Sequence, residues 1–394
     1  MRSYVMPGLF VAESHAGERH FIFSGANERA LVALCRAFAR RGQACSIAAR
    51  PGPDPIRYTR YRAWIEAERS DDALDLADML RCVRRIVARH PAQRLIFLPT
   101  AESVNRWVLR HREAFEQAGL SVPLVDEAVY LAISDKASLL TLAARFGLEL
   151  PPALIVPDPL ALPLVAKPRY EFEPDSGCRL YPELIFERTQ LEHFLAVHDP
   201  HHYFFQHYLD GASYYYLAHF DRTGRSHFAY QRNLLQQANG KSILAAELCR
   251  CPNTQVQRQL EALFGYLGYH GYAMIELMEL DGHFYLIEVN PRFWGPWALA
   301  DRAGFLPEAC DGRALETNDD CSGSYFWLGG WLADRRAGRS LRRYPAMRRT
   351  WLPALLGNDV YLRPDSLSLF LRELFRRPSA RAVTSFTSGF SPLP

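Results

Sequence analysis

Gly271-Tyr-Ala-Met-Ile-Glu276-Leu-Met-Glu-Leu280, Asp281-Gly282 and His283-Phe-Tyr-Leu-Ile-Glu288-Val-Asn290-Pro-Arg292-Phe-Trp-Gly295 follow one another without a break. Both flanks are apolar runs of strand-forming residues, and Asp-Gly between them is a strong hairpin signal. Glu288 and Asn290 are two apart on the second strand, so their side chains leave the same face. Glu276, on the paired strand, reaches that face as well. Two carboxylates and an amide oxygen converging on one spot suit a hard cation that keeps water and phosphate oxygens as its remaining ligands. Arg292, one step further along the face, adds a permanent cation. A Glu inside Tyr-Leu-Ile-Glu-Val is costly to leave unpaired, which speaks against a merely solvated hairpin.

The pattern Glu276…Glu288-Val-Asn290-Pro-Arg292 resembles the metal-binding signature of the ATP-grasp superfamily, whose members include biotin carboxylase, D-alanine–D-alanine ligase and carbamoyl phosphate synthetase. As an ordered set of motifs the resemblance covers roughly residues 20–305. It implies ATP and Mg2+ (or Mn2+), with Glu276, Glu288 and Asn290 as metal ligands.

Lysines add independent support. Lys and Arg together number 46, yet the chain has only three lysines, Lys136, Lys167 and Lys241. A compact ammonium suits a phosphate where a planar fork does not. Lys136 opens an amphipathic helix, Ser134-Asp135-Lys136-Ala-Ser-Leu-Leu, that ends at Phe146-Gly147, and Lys167 closes the strand Leu162-Pro-Leu-Val-Ala-Lys167-Pro168. These resemble the two nucleotide-phosphate lysines of ATP-grasp enzymes. Lys241, in Asn239-Gly240-Lys241-Ser242, falls where the family often has a loop near the transferred phosphate or second substrate.

Tyr203-Phe-Phe-Gln206-His207-Tyr208-Leu209-Asp210-Gly211 resembles the family's hinge, usually Gln-Glu-Tyr-Ile-x-Gly. The resemblance places Gln206 in the nucleotide site and implies that the backbone of His207 and Leu209 faces the adenine edge. Asp210 or Ser213 is then placed for the ribose hydroxyls. Two departures stand out. His207 replaces the common glutamate, and the loop Arg169-Tyr-Glu-Phe-Glu-Pro-Asp-Ser-Gly177-Cys178 has one glycine where many relatives have a pair over the phosphates. Arg232, on a strand between Ser226 and Leu235, is read as a holder of a substrate carboxylate or phosphoryl group, or as half of a structural salt bridge.

The expected fold is α/β and α+β: an ATP-grasp fold with an N-terminal Rossmann-like pre-ATP-grasp domain and a basic C-terminal extension. Residues 20–130 alternate strand and helix: strand His20–Ser24, helix Glu28–Arg41, strand Ala44–Ala49, helix Ala73–His90, strand Arg94–Leu98, helix Ser103–Ala118. Such alternation argues for a parallel sheet covered by helices. The boundaries expected are 1–130, 131–310 with a lid at about 160–210, and 311–394. In the last segment Arg335, Arg336, Arg339, Arg342, Arg343, Arg348 and Arg349 form a run without an acid, flanked by Trp331 and Trp351. It reads as a solvated helix face, or as a basic patch for an anionic membrane or acidic partner.

With 394 residues, 48% hydrophobic and 23% charged, the chain is an ordinary globular protein of two or three domains. A formal net charge of +3 is too small to argue for nucleic acid. No long apolar stretch predicts a transmembrane helix or signal peptide. Eight scattered cysteines without zinc-site company are most economically reduced thiols in a cytoplasm. The resemblance implies an ATP-dependent ligase that activates a carboxylate as an acyl phosphate and transfers it to an amine, with Arg292, Lys241 and Arg232 in catalytic roles. Two alternatives stay open: a phosphotransferase acting on a hydroxyl, and a nucleotide-binding regulator docked through its basic tail. The expected partners are small-molecule acids and amines, and a homodimer is compatible with them.

Overall fold

The computed structural model describes residues 17–155, 157–169, 180–315, 322–347 and 356–375. The chain begins as a parallel sheet of β1 (Glu18–Phe23), β2 (Cys45–Ala49), β3 (Ile65–Glu68), β4 (Arg94–Phe97) and β5 (Leu120–Ser121), in the order β3-β2-β1-β4-β5. The helices α1 (Glu28–Arg40), α2 (Leu76–Arg89), α3 (Glu102–Arg110) and α4 (Arg112–Gln117) connect the strands. β2 is buried at every residue, as a strand covered on both faces should be. The single helix expected over Ser103–Ala118 is broken at His111 (φ −115°). The break turns Arg112 onto the carbonyls of Val122, Leu124 and Val125 at 2.8–3.0 Å.

After α5 (Glu127–Ser134) and α6 (Lys136–Arg145) comes a small antiparallel sheet, β6 (Ala153–Leu154), β7 (Leu164–Pro168), β8 (Glu183–Ile185) and β9 (Tyr203–His207), in the order β6-β9-β7-β8. Leu164, Ala166, Ile185, Phe205 and, from α7 (Arg188–Val197), Leu191 and Phe194 form its separate core.

The large antiparallel sheet is built from β10 (Ala212–Phe220), β11 (Ser226–Gln236), β12 (Ile243–Cys249), then, beyond α8 (Thr254–Tyr266), β13 (Gly271–Leu280) and β14 (His283–Asn290). The helix α9 (Trp297–Arg302) precedes the short strand β15 (Ser324–Phe326), and α10 (Leu328–Arg336) precedes β16 (Arg342–Arg343). The order is β14-β13-β10-β11-β12-β15, and β16 pairs with β11. One face of this sheet sends Ile275, Leu277, Leu286 and Val289 against Tyr130, Ile133, Leu139 and Leu260 of the helices. The other sends Tyr215, Met274 and Met278 toward Phe293, Trp294, Trp297, Tyr325 and Tyr344. Trp297 is fully buried, and removing such a ring costs about 3–5 kcal/mol.

The tail is fastened to the parallel sheet's helices. Arg36 grips Asp365 with two bonds of 2.7 Å, and Tyr61 Oη donates to the same carboxylate at 2.6 Å. Its arginines do not form one helix face. Arg335 lies over the Trp331 ring, Arg336 donates to Leu374 O, Arg339 pairs with Asp334, and Arg342–Arg343 is a strand. Arg348, Arg349 and Trp351 lie outside the described residues. Among the described residues no helix is long and apolar enough to cross a membrane, and the described cysteines are free thiols.

Candidate active site

The hairpin forms as its sequence dictates. Asp281 and Gly282 both have positive φ (53° and 84°), the turn whose twist matches its strands. Register then sets Glu276 directly opposite Glu288, and Met274 opposite Asn290. A bulge at Ile287 interrupts the ladder there. Asn290 Nδ2 donates to Glu288 Oε1 at 2.7 Å, and Arg292 Nη2 donates to Asn290 Oδ1 at 2.6 Å. That amide oxygen keeps a second lone pair.

Both expected phosphate lysines come to this hairpin. Lys167, buried on β7, sends Nζ to Ile287 O at 3.4 Å, the carbonyl beside the bulge. Burial, and then the neighbouring Lys136, push its ammonium down to about 8, while Glu288 and Glu276 oppose the shift. Lys136 is the first residue of α6, capped by Asp135, whose Oδ1 accepts from Ser138 N at 2.9 Å. The carboxylates respond in opposite directions. Burial, and then the charge of Glu288, raise Glu276 well above the usual carboxylate range. Burial alone would raise Glu288 too, but Lys136, the Asn290 hydrogen bond, Lys167 and Arg292 together hold it low. Two facing carboxyl groups of this kind are relieved either by a proton kept on Glu276 or by a bound cation. Among the described residues no group of three or more His, Cys, Asp or Glu is gathered, so the set is two carboxylates and an amide. This all-oxygen donor set suits a small hard ion whose other ligands are water and phosphate.

At the hinge, His207 N is spent on Pro152 O (2.9 Å) and Tyr208 N on Pro163 O (3.1 Å), whereas Leu209 N has no backbone acceptor among the described residues. Gln206 is buried, and its Oε1 is without a donor there. Asp210 is 87% exposed.

Two expected residues do not join the cluster. Arg232 pairs with Tyr214, and its neighbour Gln231 with Tyr215, which in turn pairs with Glu276. Arg232 is therefore on the opposite face of the sheet, where its Nε donates to Glu247 at 2.8 Å. Of its two readings, substrate holder or structural salt bridge, this contact matches the second. Ser213 shares the correct face but is fully buried, accepting from Asn233 Nδ2 at 2.8 Å beneath Tyr344. Sealed in this way, it is a poor ribose ligand. Lys241 is exposed in the β11–β12 loop, where its carbonyl accepts from Gln236 Nε2 at 3.0 Å. The single-glycine loop Arg169–Cys178 lies outside the described residues except for Arg169.

Sequence reading missed Arg342 and Tyr344, which cover this face from the tail. It also missed Arg29, whose guanidinium donates to Ser242 Oγ (2.8 Å), Ile243 O (3.1 Å) and Tyr325 Oη (3.2 Å) and lies 4.2 Å from the Trp327 ring centre. The run of arginines was the only signal for Arg342. A separate cavity of about 490 Å3 between α1, α9 and residues 358–363 is lined by none of the candidate residues.

No family model and no curated protein matches the chain. Solved structures do. The biotin carboxylase domain of the Hydrogenobacter thermophilus 2-oxoglutarate carboxylase, solved with MgADP, ADP and bicarbonate, is similar at a TM-score of 0.57 and 12% identity, over 79% of this chain and 74% of that one. N5-carboxyaminoimidazole ribonucleotide synthetase from Thermus thermophilus gives 0.54 and 18%, over 77% and 81%. L-amino acid ligase from Bacillus licheniformis gives 0.51 and 16%, over 77% and 75%. These are ATP-grasp enzymes, and the chain has the ATP-grasp fold.

Proposed function

We propose that this chain is an ATP-dependent ligase that activates a carboxylate as an acyl phosphate and passes it to an amine, releasing ADP and phosphate. The observation that supports it most is the facing Glu276–Glu288 pair with Asn290, set beside two of the chain's three lysines. The names of the similar structures, a carboxylase, a synthetase and an amino acid ligase, favour the same class.

Glu276, Glu288 and Asn290 would hold a magnesium ion, which when bound neutralises the β- and γ-phosphates of ATP. Lys136 and Lys167 reach the remaining phosphate charge. The Leu209 N–H, without an acceptor among the described residues, and the backbone carbonyl of His207 take the adenine edge, with Gln206 Oε1, without a donor there, as a further acceptor, and Asp210 meets the ribose. Little covalent chemistry is then asked of the protein, and positioning with fixed charge does most of the work. The substrate carboxylate attacks the γ-phosphorus; Arg292, held by its bonds to Asn290 Oδ1 and Phe293 O, stabilises the transferring phosphoryl group and then the tetrahedral oxyanion. An amine, of an amino acid or amino sugar, displaces the phosphate. Lys241, on an exposed loop, serves the substrate side. In this reading residues 1–130 wall the substrate site, 131–310 form the ATP-grasp unit, and the protein works in the cytoplasm.

An ADP-release screen against amino acids and small acids, run with and without hydroxylamine, tests the proposal. An acyl phosphate is trapped as a hydroxamate; a stable phosphorylated alcohol would instead move the protein to the phosphotransferases.

A further inference from the structure

Arg342 is separated from the hairpin by half a hundred residues, yet the fold brings it to the hinge. The strand β16 pairs Arg342 with Gln236 and Arg343 with Leu235 on β11, and Tyr344 N donates to Leu234 O at 3.1 Å. Tyr344 Oη donates to Gln236 Oε1 at 2.7 Å, and Gln236 Nε2 in turn holds the carbonyls of Gly240 and Lys241. The segment is thus built into the same sheet face as Glu276.

From this anchor Arg342 turns inward. Its Nη2 donates to Leu209 O at 2.6 Å, and its guanidinium lies 4.7 Å and 4.8 Å from the ring centres of Tyr208 and Tyr344. Asp210, at the ribose end of the hinge, is 3.6 Å away, and at the other end the positive charge is felt by Glu276. Nε is buried without an acceptor, and Nη1 has no partner among the described residues. An arginine needed only for an ion pair with a mostly exposed aspartate would remain in water, where its donors are satisfied. Here two aromatic rings and a carbonyl hold it beside the hinge, with donors to spare.

We propose that Arg342 belongs to the nucleotide site, supplying from the C-terminal segment the cation that meets the phosphate nearest the ribose. This rests on the ATP reading above, and it gives the arginine-bearing tail a part in nucleotide binding.

Calorimetric titration of the full chain with adenosine, AMP and MgATP tests it. Arg342→Gln should weaken AMP and MgATP about tenfold, the loss of one charge-assisted contact, and leave adenosine within about twofold. Arg342→Lys should recover part of the loss, and Arg343→Gln, altering an exposed neighbour, should match wild type. Equal weakening of adenosine would assign Arg342 to hinge shape alone, and tighter binding would make it a plug; either overturns the proposal. Unchanged AMP and MgATP binding by Arg342→Gln overturns it while sparing the ligase reading. A wild type that binds no MgATP overturns both. If Arg342→Gln melts far below wild type, Arg342→Lys decides, with phosphate-bearing ligands expected to lose affinity before adenosine does.

Discussion

Glu276 and Glu288 stand opposite each other at one register position of the β13–β14 hairpin. Cross-strand pairs normally set opposite charges or apolar groups face to face, and like charges there are destabilising. In this chain the cost is offset from three sides: Lys167 across the small sheet, Lys136 at a helix start, and Arg292 through Asn290. Glu276, raised by burial and by Glu288, carries the residual strain of the pair, and carboxyl groups perturbed in this way are candidates for a functional site.

Arg232 and Arg292 give the sharpest contrast among the arginines. Arg232→Ala, on the far face beside Glu247, should keep turnover within about twofold and lower stability by no more than about 1 kcal/mol, read by steady-state kinetics and urea unfolding. Arg292→Ala should keep stability and lose roughly a hundredfold in kcat. Equal kinetic losses would show that the sheet faces have been assigned incorrectly.

The lysines permit a direct footprint. With three in the chain, amine labelling read by mass spectrometry follows each one separately. MgATP should shield Lys136 and Lys167 and leave the exposed Lys241 labelled until the acid substrate is added. Labelling of Lys136 and Lys167 that ignores nucleotide would remove the main cations from the phosphate site.

Asp365 supplies a prediction about pH. Burial alone would raise its carboxyl, but hydrogen bonds from Arg36 and Tyr61 bring it down to about 2. The unfolded group titrates near ~3.9, so the stabilisation is complete above that pH and is lost as pH falls toward 2. Asp365→Asn should cost about 2 kcal/mol at neutral pH, after discounting for partial solvent screening, and the two melting curves should converge in acid. A gap between them that is constant down to pH 2 would rule out this linkage.

How far the sequence could be read follows from how local each feature is. The hairpin was legible because its turn, strand phase and candidate ligands all lie within Gly271–Gly295, and the parallel sheet because strand and helix alternate at short range. The sheet face occupied by Arg232 was not, since a shift of one residue in register reverses every side chain and register is fixed by distant partners. Ser213 looked available for the same reason: Tyr344, which covers it, arrives from the tail. Strands β12, β15 and β16 escaped notice because they are short or merely half-buried and gain their ladder bonds from β11 and from each other, not from their own pattern.

The most direct test of the central claim is calorimetric binding of ATP to wild type and to Glu288→Gln, each with magnesium and with excess chelator. Glutamine keeps the shape and removes one anionic ligand, so melting should be preserved. Wild type should bind ATP tightly and in a magnesium-dependent way, and Glu288→Gln should lose that dependence together with roughly a hundredfold or more of ATP-dependent turnover. Wild-type magnesium dependence and turnover in Glu288→Gln would contradict it.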